Sequence, residues 1–122
     1  MPIAQLIDQK CVACKSGESP LDSGAIAELL AQVPGWNVIE ENGVKHLERT
    51  FQFKDFAQAL AFTNRVGQLA EAEAHHPQII TEWGKVTVKW WTHKIGGLHR
   101  NDLIMAAKTS QTYASCQGSQ PG

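Results

Sequence analysis

At 122 residues, 43% hydrophobic and 19% charged, the chain is one domain's worth and long enough to bury a real core. A net charge of −1, with Lys and Arg scattered, leaves no electrostatic footprint for nucleic acid and no polybasic patch for a membrane surface. No stretch approaches the roughly 18 apolar residues of a membrane span, and Met1 to Lys10 carries Asp8 without the long apolar core of a secretory signal, so the expectation is a soluble, cytoplasmic protein.

Residues 1–20 read as an irregular leader, ending in the breaker-rich Ser16-Gly17-Glu18-Ser19-Pro20. The leader holds Cys11 and Cys14 at the spacing of a zinc knuckle or redox pair. A closed zinc site needs four ligands, and no second C-x2-C or H-x3-H pair follows. With Cys116 the cysteine count is odd, which argues against a disulfide framework.

Ser23 is a plausible cap for a first helix that buries Ile26, Leu29 and Leu30 and closes near Val33-Pro34-Gly35. Trp36 to Glu40 and Val44 to Phe53 flank Glu41-Asn42-Gly43. Asn-Gly favours the positive φ angles of a tight turn, so the two segments read as an antiparallel hairpin. Asp55 is a candidate N-cap for a long helix with Phe56, Ala59, Leu60, Thr63, Val66 and Ala70 on one face. That helix must end before Pro77, because a residue preceding proline is pushed out of the α region.

A second hairpin, Gln78 to Glu82 and Lys85 to Thr92, turns at Trp83-Gly84. Gly96-Gly97 then breaks the chain, and Asn101 to Lys108 begins a last helix. From Ser110 the polar, Gly/Pro-containing segment reads as a disordered tail. The expected organisation is therefore a leader (1–20), one α+β domain (21–109) and a tail (110–122). The domain is a four-stranded antiparallel sheet with three helices packed on one face, in the order α-β-β-α-β-β-α. Such a short sheet leaves unpaired edges, which a second copy of the chain can cover.

The chemistry concentrates at one end of that sheet. His75 and His76 fall at the helix-to-strand junction, His93 follows the last strand, Asp102 opens the last helix, and Glu71 precedes His75 by four residues. Pairing of the second hairpin across Trp83-Gly84 puts residues 75–77 opposite residues 90–92. Histidine has an ordinary pKa near about 6.5 and suits proton transfer at neutrality, with a nearby carboxylate to fix its tautomer. Taken singly, each group also has a plainer role. His75 suits the negative end of a helix dipole, and Asp102 suits the first turn of a helix. His46 and His99 read as surface residues. No His-x-His or His-x3-His spacing suggests a metal, and adjacent His75 and His76 would point to opposite faces on entering a strand.

Taken together, Glu71-x3-His75-His76-Pro77-x5-Trp83-x9-His93-x8-Asp102 strongly resembles the signature of the pterin-4a-carbinolamine dehydratases (4a-hydroxytetrahydrobiopterin dehydratases) of bacterial type. The similarity extends through Thr92-His93, Gly97-Leu98, Arg100 and Met105-Ala106. It also includes Val33-Pro34-Gly35-Trp36-Asn37, LAFTNRVG (60–67), TEWGKVTVKWWTH (81–93) and the leader with Cys11 and Cys14.

The resemblance implies a hydro-lyase that converts a 4a-hydroxytetrahydropterin to quinonoid dihydropterin and water. This recycles the pterin of phenylalanine hydroxylase without metal or organic cofactor. It implies dimers or tetramers formed by joining sheets, with phenylalanine hydroxylase as a possible partner. By the same analogy His75 and His93 transfer protons, His76 binds and positions the pterin, and Glu71 and Asp102 orient the imidazoles. Pro77 and Thr92 complete the candidate site. Animal relatives also act as dimerisation cofactors, and some members are linked to molybdopterin metabolism, so a binding module or that second pathway stands as the alternative. One departure is His99, where many relatives carry Ser or Thr. A lost helix cap there would cost about 1 kcal/mol.

Overall fold

The computed structural model describes residues 19–118. The leader with Cys11 and Cys14 lies outside the described residues apart from Ser19 and Pro20. The elements are α1 (Ser23–Leu30), β1 (Asn37–Glu41), β2 (Val44–Gln52), α2 (Phe56–Glu73), β3 (Gln78–Glu82), β4 (Lys85–Trp90) and α3 (Arg100–Gly118), with a 3-10 turn at His93–Ile95 before α3. The strands form one antiparallel sheet in the order β1-β2-β4-β3. This is the α+β architecture that the periodicity predicts.

Both hairpin turns follow from local chemistry. Asn42 and Gly43 take positive φ angles of 53° and 79°, and Gly84 takes 77°, which tight two-residue turns require. The register then fixes the faces. Leu47 opposes Trp90, Phe51 opposes Val86, and Val88 opposes Ile79. These side chains form the inner face, with Leu47, Phe51, Val86, Val88 and Trp90 all essentially inaccessible. Burying each such side chain contributes about 1.5–3 kcal/mol. Packed against this face are Ile26 and Leu29 of α1, Ala59, Phe62, Val66 and Ala70 of α2, and Leu103 to Ala106 of α3. The other face is rich in charge and carries Glu41, His46, Glu48, Lys85 and Lys89. No helix among the described residues is long and apolar enough to cross a membrane.

Several boundaries differ from the sequence reading. Asp22, not Ser23, caps α1, its Oδ1 accepting the Ala25 N–H at 2.8 Å. Asp55 does cap α2, accepting from Gln58. On α2 the expected Phe56 and Leu60 are 45% and 44% exposed, whereas Phe62 is fully buried. Each residue turns the helix by about 100°, so the stripe through Ala59, Phe62, Val66 and Ala70 leaves Leu60 well round the side. Strand β4 ends at Trp90 rather than Thr92, because Thr92 bridges Gly97 and closes the loop instead.

The largest difference is at the end of the chain. The helix expected to stop at Lys108 continues to Gly118, through residues read as a tail. Ser110 Oγ accepts from Trp36 Nε1 at 2.8 Å and from Arg49 Nη1 at 2.9 Å. The Tyr113 ring packs among Phe51, Phe53 and Phe62. Tertiary contacts hold a segment whose composition alone would not make a helix.

Candidate active site

The junction between α2 and β3 is a Schellman turn. The His75 N–H bonds back to the Ala70 carbonyl at 3.1 Å and the Ala74 N–H to Glu71 at 3.3 Å. Ala74 adopts the left-handed conformation, φ 54° and ψ 38°, which glycine usually supplies. Pro77 forbids further helix, so the chain reverses within three residues and delivers both imidazoles at the sheet's end. Gln78 pairs with Lys89, which continues to place residues 75–77 beside residues 90–92.

From this turn His75 points inward. Its Nε2 lies 2.6 Å from Asp102 Oδ1, and its ring stacks on Trp90 at 5.6 Å, tilted by only 12°. Asp102 is wholly buried. Its second oxygen accepts from Thr92 Oγ1 at 2.8 Å and from the His99 N–H at 2.9 Å. An ionised carboxylate can only accept hydrogen bonds, so His75 presents Nε2–H to it. That leaves Nδ1 of the neutral ring as the nitrogen able to accept a proton. The same contacts tie β4's end, the turn after α2 and the start of α3 to one side chain.

His99 corrects two expectations. It is buried, and it caps α3 itself, its Nδ1 accepting the Asn101 N–H at 3.0 Å. With Asp102 accepting the His99 N–H in return, the pair forms a reciprocal cap like a capping box. The imidazole replaces Ser or Thr without orphaning the first turn.

His76 points the other way and pairs with Glu71, Nε2 to Oε2 at 2.5 Å, with both side chains largely exposed. His93 opens the 3-10 turn and packs its ring against Trp91, 4.7 Å between centroids. Beside it lies an open pocket of about 590 Å³ lined by Glu41, Asn42, Val44, His46, Pro77, Gln78, Trp91 and His93, a size usual for small-molecule sites. The structure thus joins Thr92, Asp102 and His75 in one buried network, brings Pro77 and His93 to one pocket, and leaves Glu71 with His76 at the surface. Trp83, within the signature, is 73% exposed at the hairpin's far tip. Among the described residues no cluster of three or more His, Cys, Asp or Glu side chains is placed to hold a metal ion.

His46 was read as a surface residue and is only 6% exposed. Its ring lies flat on Trp91 at 4.0 Å and 18°. Burial lowers its pKa from the usual 6.5. Glu41 opposes that shift, while Lys89 and His93 add to it. The pairing of β2 with β4, which sets Leu47 against Trp90, explains why His46 meets Trp91. Alternation within β2 hinted at a second face, but only the register shows what that face meets.

Comparison with known proteins adds a line of descent. The family profile described as Pterin 4 alpha carbinolamine dehydratase matches residues 19–112. A Chlorobium limicola protein provisionally named pterin-4-alpha-carbinolamine dehydratase is 59% identical over 105 residues, covering 86% of this chain and 93% of the relative. One from Microcystis aeruginosa, named in the same way, is 50% identical over 111 residues, covering 91% and 96%. Among solved structures, a transcriptional coactivator/pterin dehydratase from Brucella melitensis superposes with a TM-score of 0.70 at 29% identity, covering 78% of this chain and 99% of that one. A pterin dehydratase-like protein described as a RuBisCO assembly factor in the alpha-carboxysome shares the fold, with a TM-score of 0.55 at 21% identity, covering 65% and 89%.

Proposed function

The chain belongs to the pterin 4 alpha carbinolamine dehydratase family, and from that premise we propose that it is a hydro-lyase dehydrating a 4a-hydroxytetrahydropterin to quinonoid dihydropterin. The observation that carries the mechanism is the buried Asp102 carboxylate, bonded at once to His75 and to Thr92, the residue before His93.

Loss of water from the substrate needs two proton movements. The C4a–O bond breaks while its oxygen receives a proton and leaves as water, and the N5 proton departs as the C4a=N5 bond forms. His75 and His93 carry these transfers, each worth about 10²–10⁴-fold. Asp102 fixes the tautomer of His75 and supports its imidazolium form. His76, oriented by Glu71 at the exposed rim, binds and positions the pterin. Pro77 shapes the pocket wall, and Thr92 holds Asp102. No metal or organic cofactor enters these steps.

The product serves to recycle the pterin of a phenylalanine hydroxylase in the cytoplasm. The chain works as a dimer or tetramer, in which the free edges of β1 and β3 are covered. The coactivator description of the Brucella melitensis protein supports a second reading, a protein-binding role beside or instead of catalysis.

The test is the disappearance of 4a-hydroxytetrahydropterin generated in situ by a phenylalanine hydroxylase. Wild-type protein is compared with His75→Ala and with a protein-free control. Acceleration by wild type alone is expected. A rate equal to the control would leave the binding role as the better reading.

A further inference from the structure

Two glycines stand side by side in the loop that carries His93, for different reasons. Gly96 ends the 3-10 turn with a φ of 63°, a conformation that glycine adopts at no steric cost. Gly97 has no positive φ, so its φ does not call for glycine. What it needs is room. A methyl group at Gly97 would lie 2.9 Å from Pro20 Cβ and 3.2 Å from Pro20 Cγ.

Pro20 lies just before α1, far from Gly97 in sequence. Beside it the Leu21 N–H donates to the Leu98 carbonyl at 2.8 Å, and Leu98 is buried in the core. Pro20-Leu21 thus runs along Gly97-Leu98 as a short clamp. Gly97 is also bonded to Thr92. The Thr92 N–H donates to the Gly97 carbonyl at 2.9 Å, and the Gly97 N–H returns a long bond of 3.5 Å. This bridge closes the loop that His93 opens. The bonds inside the loop, Gly96 N–H to the His93 carbonyl at 3.2 Å and Ile95 N–H to the Thr92 carbonyl at 3.4 Å, are at or beyond the long end of the usual range. His93 itself is exposed, so the loop depends on support from outside.

Resting on the dehydratase reading, in which His93 moves a proton, we infer that Pro20, Leu21 and Gly97 are positioning residues for that histidine. Leu21 anchors the clamp to Leu98, the Pro20 ring bears on Gly97, and the Thr92–Gly97 bridge passes this constraint to the base of the His93 turn. The proline ring is fixed to its own backbone and cannot swing aside. A side chain at Gly97 therefore displaces either the anchored clamp or the bridge, and the bridge, with its 3.5 Å bond, yields first. A misplacement of about 1 Å can cost about 10²-fold in rate.

The test pairs Gly97→Ala with Pro20→Gly, which removes both atoms that the new methyl would meet. The readouts are kcat and KM for the 4a-hydroxytetrahydropterin and amide hydrogen exchange at the Thr92 N–H. Gly97→Ala should lower kcat at least about tenfold, leave KM within about twofold, and speed the exchange about tenfold. Pro20 is exposed, so Pro20→Gly is expected to fold, and by itself it should lower kcat about threefold as the loop loses its outer support. In that background Gly97→Ala should cost less than about twofold more in kcat and leave the exchange unchanged. A merely structural contact would lower the urea midpoint of Gly97→Ala and leave kcat at the wild-type value, which overturns the proposal. Wild-type kcat in Pro20→Gly, or an undiminished effect of Gly97→Ala beside it, overturns it as well. If wild type turns over the carbinolamine and both single variants match it, only the clamp fails. If wild type does not turn over, the dehydratase reading fails. Exchange at Thr92 that Gly97→Ala speeds only in the presence of Pro20 then still upholds the clamp on the loop, and unchanged exchange overturns that too.

Discussion

His75 and Asp102, 27 residues apart in sequence, meet at 2.6 Å across the end of the sheet. The contact links the Schellman turn after α2 to the first turn of α3. In Asp102→Asn, the remaining carbonyl serves the Thr92 and His99 donors, and the new NH2 faces His75 Nε2. The ring is then forced into the opposite tautomer. Turnover should fall by about 10²-fold or more, and stability by about 1–3 kcal/mol because a buried network loses a charged acceptor. Steady-state kinetics and urea unfolding separate the two effects. A variant that is destabilised but turns over at the wild-type rate would remove Asp102 from the chemistry.

The second histidine–carboxylate pair is expected to behave differently. His76 and Glu71 are 63% and 78% exposed, where such pairs contribute about 0–1 kcal/mol. Glu71→Gln and His76→Ala should unfold within about 0.5 kcal/mol of wild type. His76→Ala should raise KM several-fold more than it lowers kcat. A fall in kcat alone would move His76 from binding into proton transfer.

The end of α3 is structural. Truncation after Thr109 removes the acceptor for Trp36 and Arg49 and the Tyr113 ring from its aromatic cluster. Three lost hydrogen bonds, that of the Tyr113 hydroxyl to the Gln52 carbonyl included, at about 1 kcal/mol each and the lost ring packing at about 1 kcal/mol or more predict a loss of about 4 kcal/mol. A truncated protein with the wild-type urea midpoint would show that these contacts contribute nothing.

That segment also marks where the sequence ceases to be legible. Element order, both turns and the Asp55 cap were readable because each rests on local chemistry within a few residues. The meeting of residues 75–77 with residues 90–92 and His93 was readable as a shared end of the sheet, whereas the bonds that Asp102 makes to His75 and Thr92 were not. Ser110 and Tyr113 are helical because of partners on β2 and on the turn before β1, which no window around them reveals. His46 was misread for the same reason. Its neighbour Trp91 is set by the β2–β4 register, and a buried imidazole stacked on a half-buried indole on an otherwise charged face leaves no periodic trace. The cap expected to be lost at His99, where many relatives carry Ser or Thr, is kept because an imidazole nitrogen can accept a helix N–H as a serine oxygen does.

Ala74 offers a test of strain at the turn that carries both imidazoles. A non-glycine residue in the left-handed region costs about 1–2 kcal/mol, partly offset in Ala74→Gly by the greater chain entropy of unfolded glycine. The substitution should raise stability by about 0.5–1 kcal/mol and leave the His75 contact to Asp102 in place. Urea midpoints check the first expectation and kcat the second. Lower stability would mean that the turn is held open by its surroundings rather than strained.

The acid sensitivity of the fold should trace in part to His46. Burial sets its folded pKa below 6.5, with Glu41 opposing and Lys89 and His93 reinforcing the shift. Between the folded value and 6.5 the unfolded chain binds a proton that the folded chain does not, so stability rises with pH across that window. The His46 contribution is therefore complete above pH 6.5 and is lost as pH falls through the folded pKa. His46→Phe keeps the stacked ring and cannot titrate. Its urea midpoint should fall less than that of wild type between about pH 7 and pH 5. Carboxylates and the other histidines titrate in both proteins and largely cancel in the comparison. Equal losses would place the acid sensitivity in those groups and mean that the His46 ring takes up its proton alike in the folded and the unfolded chain.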